Sequence, residues 1–145
     1  MVLLEKTCDE SELEVLAREL ISLFEVESEI VVWLRGDMGA GKTALVRRLL
    51  WNWGLDERVP VLSPTYTLMN EYEIENKWVA HLDLYRVDDS FTMDEVGIFD
   101  LRKYRAIFIE WPQTAPSSEV FPATHLLDIS PVENGKKRSY LLQKC

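Results

Sequence analysis

Eight consecutive residues decide the fold of this chain: Gly36-Asp37-Met38-Gly39-Ala40-Gly41-Lys42-Thr43. They follow a continuous apolar run at 30–34, which suits a strand that is covered on both faces of a parallel sheet. Beyond them, apolar residues recur at helical spacing from 45 to 53, and Gly54 is placed to end that helix. The sequence therefore predicts a strand, a glycine-rich loop and a helix in immediate succession.

This succession is the setting in which a loop binds phosphate. A triphosphate is strongly negative, so its site needs inward-pointing backbone N–H groups and the positive end of a helix. The glycines allow the loop to bend, Lys42 can reach the β- and γ-phosphate oxygens, and the Thr43 hydroxyl can coordinate magnesium. The whole loop, including Asp37, Met38 and Ala40, is therefore assigned to ATP and Mg²⁺. The alternative is a chance glycine turn beside a solvated lysine.

Two acidic residues directly follow largely apolar runs. Glu110 closes the run 106–109, and Asp83 closes the run 79–82. If both runs are parallel strands, the two carboxylates reach the carboxyl edge of the sheet, near the phosphate-binding loop. Glu110 is then a candidate magnesium ligand, and Asp83 could bind the metal through water or orient the attacking water. For each of them, a solvated acid at a strand end is the alternative.

Other side chains leave two interpretations open. Thr65 lies in the turn Ser63-Pro64-Thr65, whose hydroxyls could sense the γ-phosphate or serve turn chemistry alone. Trp111 could line the nucleotide site or pack in the core. Strand alternation favours a packed or hydrogen-bonded role for His81 over that of a general base. The basic run 136–138 most simply forms a solvated turn rather than a nucleic-acid patch.

The composition limits the class of protein. At 145 residues, the chain fits a single domain, residues 1–145, with a core of its own. Sixteen basic and 25 acidic side chains give a net charge of −9, which argues against strong direct binding of nucleic acid. No apolar stretch approaches the roughly 20 residues that span a bilayer, and the cysteines form no disulfide or zinc framework. These features predict a cytoplasmic protein with no membrane partner.

Hydrophobic periodicity outlines the remaining elements. An amphipathic helix is expected at 13–24. Residues 66–72 and 78–82 are predicted to form an antiparallel pair of strands, and a short, broken helix is expected within 90–104. Two later strands flank a hairpin signal at Asn134-Gly135. The predicted fold class is α/β, P-loop NTPase-like, with a mixed central β-sheet flanked by helices.

Four motifs follow one another along the chain. They are the loop at 36–43, then Ser63-Pro64-Thr65-Tyr66-Thr67-Leu68, then His81-Leu82-Asp83-Leu84-Tyr85-Arg86, and finally Glu110-Trp111-Pro112. In order and spacing they resemble the bacterial TsaE (YjeE) proteins, and the resemblance covers roughly residues 30–112. Four ordered motifs are far more specific than one.

The resemblance implies a small P-loop ATPase. In that family the protein acts with TsaB and TsaD, a heterodimer, to form the threonylcarbamoyl group on the adenosine beside the tRNA anticodon. On matching positions, Lys42 and Thr43 would hold phosphates and magnesium, and Glu110 would hold magnesium. Asp83 and Thr65 would support hydrolysis or sensing of the γ-phosphate.

The sequence also departs from the family pattern. Ala44 stands where the family commonly has a second threonine, and Arg48 stands where a glycine is common. Neither change removes a phosphate ligand, since Lys42 and Thr43 remain, but local packing or partner contact could differ. The resemblance implies that Trp111 would lie beside the nucleotide.

Two other functions are compatible with the same loop. A small-molecule kinase would need a lid and an acceptor pocket, for which little chain is left after residue 112. An ATP-gated binding module would use ATP only to order residues 63–67 and would not depend on hydrolysis. The preferred prediction is a Mg²⁺-dependent ATPase that is weak alone and stimulated by the TsaB–TsaD pair.

Overall fold

A computed structural model describes residues 1–37, 39–64, 67–84, 100–111 and 123–145, with positions 101 and 111 described by their backbone alone. The strands are β1 (Val2–Cys8), β2 (Val31–Arg35), β3 (Met69–Ile74), β4 (Lys77–Asp83), β5 (Tyr104–Trp111), β6 (His125–Val132) and β7 (Lys137–Lys144). The two α-helices among the described residues are α1 (Leu13–Phe24) and α2 (Lys42–Trp53). Together they form an α/β fold.

The strands make one seven-stranded sheet in the order β1-β7-β6-β2-β5-β4-β3. Its centre is parallel, because β2 pairs in parallel with β5 and β6, and β5 pairs in parallel with β4. Its two sides are antiparallel, through the β1–β7, β6–β7 and β3–β4 pairs. The predicted mixed sheet is confirmed, and its parallel centre brings the carboxyl ends of β2, β4 and β5 to one edge.

Both described helices pack on the same face of the sheet. The buried side chains of α1, such as Leu16 and Leu20, share one cluster with Leu45 and Leu49 of α2 and with Phe108 of β5. Each fully buried leucine stabilises the fold by about 1.5–3 kcal/mol relative to leaving it exposed. Among the described residues, no helix has the length and apolar character that crossing a membrane requires. The rigid packing of α2 fixes the loop from which it starts.

The opposite face of the sheet carries a second, smaller cluster. It includes Trp33 of β2, Leu82 of β4 and Ile109 of β5, which alternate with residues that face the helices. His81, Asp83 and Glu110 therefore point to the helix face. Strand alternation thus places the polar side chains of β4 and β5 on the same side as α2.

The prediction of a helix within 90–104 is wrong at the carboxyl end of that range. The part at 90–99 lies outside the described residues. Leu101–Lys103 form only a single 3₁₀ turn, and β5 begins at Tyr104. The Asp100 side chain accepts a hydrogen bond from the Arg102 backbone N–H at 2.9 Å. Such local side-chain bonds offer the backbone an alternative to a continuous helix.

Candidate functional site

The loop between β2 and α2 makes a tight turn that depends on its glycines. Gly39 and Gly41 have φ angles of +84° and +105°, which side chains other than glycine rarely adopt. The Ala40 N–H donates to the Asp37 carbonyl at 2.9 Å and closes the turn. A β-carbon on Gly36 would lie 2.7 Å from the Ile129 carbonyl oxygen of β6. The glycines therefore allow a bend that other residues would strain.

Lys42 begins α2 and folds back over the loop. The residue is 7% exposed, and its Nζ donates to the Gly36 carbonyl at 2.5 Å and to the Asp37 carbonyl at 3.5 Å. Burial lowers the pKa of Lys42, and the negative charges of Glu110, Asp83 and Asp37 oppose that shift. The result is a buried cation whose described hydrogen-bond partners are main-chain carbonyls.

Thr43 and Glu110 face each other across the edge of the sheet. The Thr43 hydroxyl donates to Oε2 of Glu110 at 2.9 Å and lies 3.2 Å from Oε1. Glu110 is 4% exposed, so its carboxylate depends on such donors in place of water. Glu110 therefore lies beside the phosphate-binding loop, at the position that the sequence predicts.

Asp83 and His81 complete the buried polar group on β4. Asp83 is 8% exposed and lies opposite Glu110 in the parallel register of β4 and β5. His81 is fully buried, and its Nε2 contacts Oε2 of Glu110. The predicted hydrogen-bonded histidine is thus present, with a partner that the alternation pattern alone does not identify.

The turn before β3 is tied to α2. The Arg47 guanidinium donates to the Val61 carbonyl at 2.9 Å, and the Leu68 N–H donates to the Pro64 carbonyl at 2.8 Å. The Asp83 N–H in turn donates to the Leu68 carbonyl at 3.0 Å. Residues 61–64 are therefore connected to the same edge of the sheet as the loop.

Arg138 is a candidate site residue that the sequence did not indicate. It lies in β7, yet a β-carbon on Gly41 would be 3.1 Å from its Nε. None of the carboxylates that the structure describes pairs with it. The basic run 136–138 was predicted to be a solvated turn, but Lys137 and Arg138 belong to the strand. Only the topology, which returns β7 toward the loop, reveals this proximity.

The structure says less about four other residues that the sequence analysis discussed. Met38 and Thr65 lie outside the described residues. Trp111 ends β5 with its backbone paired to Arg35, and its side chain is not described. Ala44 occupies the first turn of α2, directly after Thr43. The remaining loop residues and both acids are gathered at one edge of the sheet.

The donor set fits magnesium and a phosphate group. Mg²⁺ prefers hard oxygen ligands and usually keeps several waters, with one or two carboxylates and substrate phosphates. Thr43 and Glu110 supply such oxygens, and within the described ranges no group of three or more histidines, cysteines or acids could hold a metal alone. The buried Lys42 ammonium, whose hydrogen bonds to described residues go to the Gly36 and Asp37 carbonyls, is suited to an anion.

A family model described as "Threonylcarbamoyl adenosine biosynthesis protein TsaE" matches residues 7–140. The chain belongs to the TsaE family. A TsaE protein of Aquifex aeolicus is 33% identical over 139 residues, which cover 94% of this chain and 96% of that protein. The predicted family is thereby confirmed beyond the motifs, since the match runs almost from end to end.

Other TsaE proteins match over a shorter stretch. The TsaE protein of Haemophilus influenzae is 42% identical over 96 residues, 66% of this chain and 60% of that protein.

The crystal structure of YdiB from Bacillus subtilis superposes with a TM-score of 0.67 over 99% of this chain and 87% of that one. At 20% sequence identity, this likeness establishes the fold alone.

Proposed function

We propose that this chain is a Mg²⁺-dependent ATPase that acts with TsaB and TsaD in forming threonylcarbamoyl adenosine on tRNA. Family membership supports the pathway. The ATPase activity is supported by one observation above all: a buried lysine lies on a glycine-rich loop whose next residue, Thr43, donates to the Glu110 carboxylate at 2.9 Å. These are the groups that P-loop enzymes use for phosphates and magnesium.

Each side chain has a distinct task in this proposal. Lys42 exchanges the carbonyls of Gly36 and Asp37 for phosphate oxygens, which gives its ammonium a charged partner. Thr43 and Glu110 would hold magnesium, which when bound neutralises phosphate charge and aids the attack on phosphorus. Asp83, beside Glu110 and largely buried, would orient the attacking water. Hydrolysis then needs no covalent step on the protein.

The acidic charge supports a division of labour with the partners. A net charge of −9 opposes the phosphate contacts that hold RNA, so TsaB and TsaD would hold the tRNA. The chain would act as one domain that binds ATP and contacts the TsaB–TsaD pair. Its own ATP turnover is then expected to be weak until the partners are present.

The decisive experiment measures ATP hydrolysis and tRNA modification together. The chain is assayed with Mg²⁺ and ATP alone and with TsaB and TsaD, and modified tRNA is scored in the same samples. We expect slow turnover alone, faster turnover with the pair, and repeated rounds of modification only when the chain is present. A non-hydrolysable ATP analogue that supports repeated rounds equally well would identify an ATP-gated binding module instead. Turnover that ignores the pair would contradict the proposal.

Arg138 is expected to contribute to nucleotide affinity. Its guanidinium lies against the loop at Gly41, and hydrogen bonds to charged groups contribute about 1.5–3 kcal/mol. The substitution Arg138→Ala is therefore expected to weaken ATP binding about tenfold or more, as measured by calorimetry. Lys137→Ala is the matched control, because the neighbouring side chain of a strand points to the other face. Equal affinities of both variants and the wild-type chain would rule out this contact.

A further inference from the structure

His81 is a buried polar residue that the proposed reaction does not use directly. It is 0% exposed, lies on the helix face of β4, and contacts Oε2 of Glu110 through Nε2. We infer that His81 is a positioning residue, which orients the Glu110 carboxylate for magnesium. This inference rests on the proposed function, since it presupposes that Glu110 is a metal ligand.

The hydrogen-bond pattern of the imidazole identifies Nε2 as the donor. A carboxylate anion only accepts hydrogen bonds, so the tautomer that serves this contact is the one with its proton on Nε2 of His81. Nδ1 is buried and has no hydrogen-bond partner among the described residues. With the proton on Nε2, this orphan position carries only a lone pair, whereas a proton on Nδ1 would leave a buried N–H unpaired.

The contact also distinguishes the two oxygens of Glu110. Oε2 accepts from both His81 and the Thr43 hydroxyl, the latter at 2.9 Å. Among the described residues, the contact of Oε1 is the longer one with the Thr43 hydroxyl, at 3.2 Å. His81 thus fixes one oxygen and leaves the other available to a metal or to its bound water. Groups that orient metal ligands in this way commonly raise metal affinity by about 10–100-fold.

The packing around His81 does not by itself require a histidine. Phe108 pairs with His81 in the register of β4 and β5, and Val79 precedes His81 by two residues on β4. Both are apolar and belong to the main core cluster. An aliphatic side chain would fill such a position without an unpaired ring nitrogen. A hydrogen bond to the carboxylate is the property that an aliphatic residue would lose.

The test uses three substitutions at position 81. Glutamine places an amide N–H about where Nε2 lies, whereas asparagine is too short to reach Glu110, and leucine has no donor. Metal affinity is measured by Mn²⁺ electron paramagnetic resonance in the presence of ADP, which needs no turnover. Nucleotide affinity without metal is measured in parallel by calorimetry. His125→Leu is the control, since His125 is the other buried histidine and lies at the start of β6, away from Glu110.

The expected result is a selective loss of metal affinity. His81→Leu and His81→Asn are expected to bind Mn²⁺ about 10–100-fold more weakly, while His81→Gln and His125→Leu stay within about threefold of the wild-type chain. Metal-free ADP affinity should not change. If His81→Leu does not fold, the comparison of glutamine with asparagine decides, because both are polar. Equal Mn²⁺ affinity of these two variants overturns the inference. If the wild-type chain binds ADP but no Mn²⁺, the magnesium site itself is refuted.

Discussion

Lys42→Ala is expected to abolish measurable ATP binding and hydrolysis while leaving the fold intact. Two hydrogen bonds from an ammonium to phosphate, at about 1.5–3 kcal/mol each, correspond to at least a 100-fold loss of affinity, on the order of 3 kcal/mol. The free protein is affected differently. Lys42 is 7% exposed and donates only to main-chain carbonyls among the described residues, so its removal also relieves the cost of burying a charge.

The measurement separates these two effects. The free energy of unfolding of the ATP-free variant, measured by thermal denaturation, is expected to lie within about 1 kcal/mol of the wild-type value. The loss of the hydrogen bonds and the relief of the buried charge oppose each other. The stabilisation that ATP gives to the wild-type chain should disappear in the variant. Lys77→Ala, at an exposed position on the opposite edge of the sheet, is the control and should keep both properties. Hydrolysis retained by Lys42→Ala would refute the site.

The phosphate-binding loop and its flanking elements could be predicted because their signals are local. Gly41 caps α2 in a left-handed conformation, and Gly54 ends the helix in another, as glycine positions in a sequence can indicate. The meeting of Asp83 and Glu110 followed from a general rule, since carboxyl ends of parallel strands share an edge. The observed register pairs these two residues directly.

The contacts between distant segments could not be predicted in the same way. The bond between His81 and Glu110 depends on the register of β4 against β5, and a shift by one residue would turn His81 to the other face. Arg138 lies beside Gly41 because β7 runs antiparallel to β6 and so brings Arg138 back toward the loop. The strand β1 was not anticipated, because it lacks regular alternation and is defined by pairing with the far end of the chain.

Glu110→Gln is expected to separate magnesium binding from nucleotide binding. Glutamine preserves the shape, but its amide nitrogen cannot accept a hydrogen bond, and the negative charge is lost. Mg²⁺-dependent hydrolysis is expected to fall by at least about 100-fold, since a carboxylate ligand and a positioned charge are removed together. ATP affinity without metal should stay equal or become tighter, because a buried negative charge no longer opposes the phosphates.

A magnesium titration at fixed ATP tests both signs at once. In the wild-type chain, added Mg²⁺ should strengthen ATP binding, and in Glu110→Gln this enhancement should largely vanish. Glu27→Gln is the matched control: its side chain is 23% exposed and pairs with Lys144, far from Thr43. If Glu110→Gln weakened ATP binding without metal as much as with it, Glu110 would shape the loop rather than hold the metal. The hydrogen bond from Thr43 to Glu110 would then be a structural brace at the start of α2.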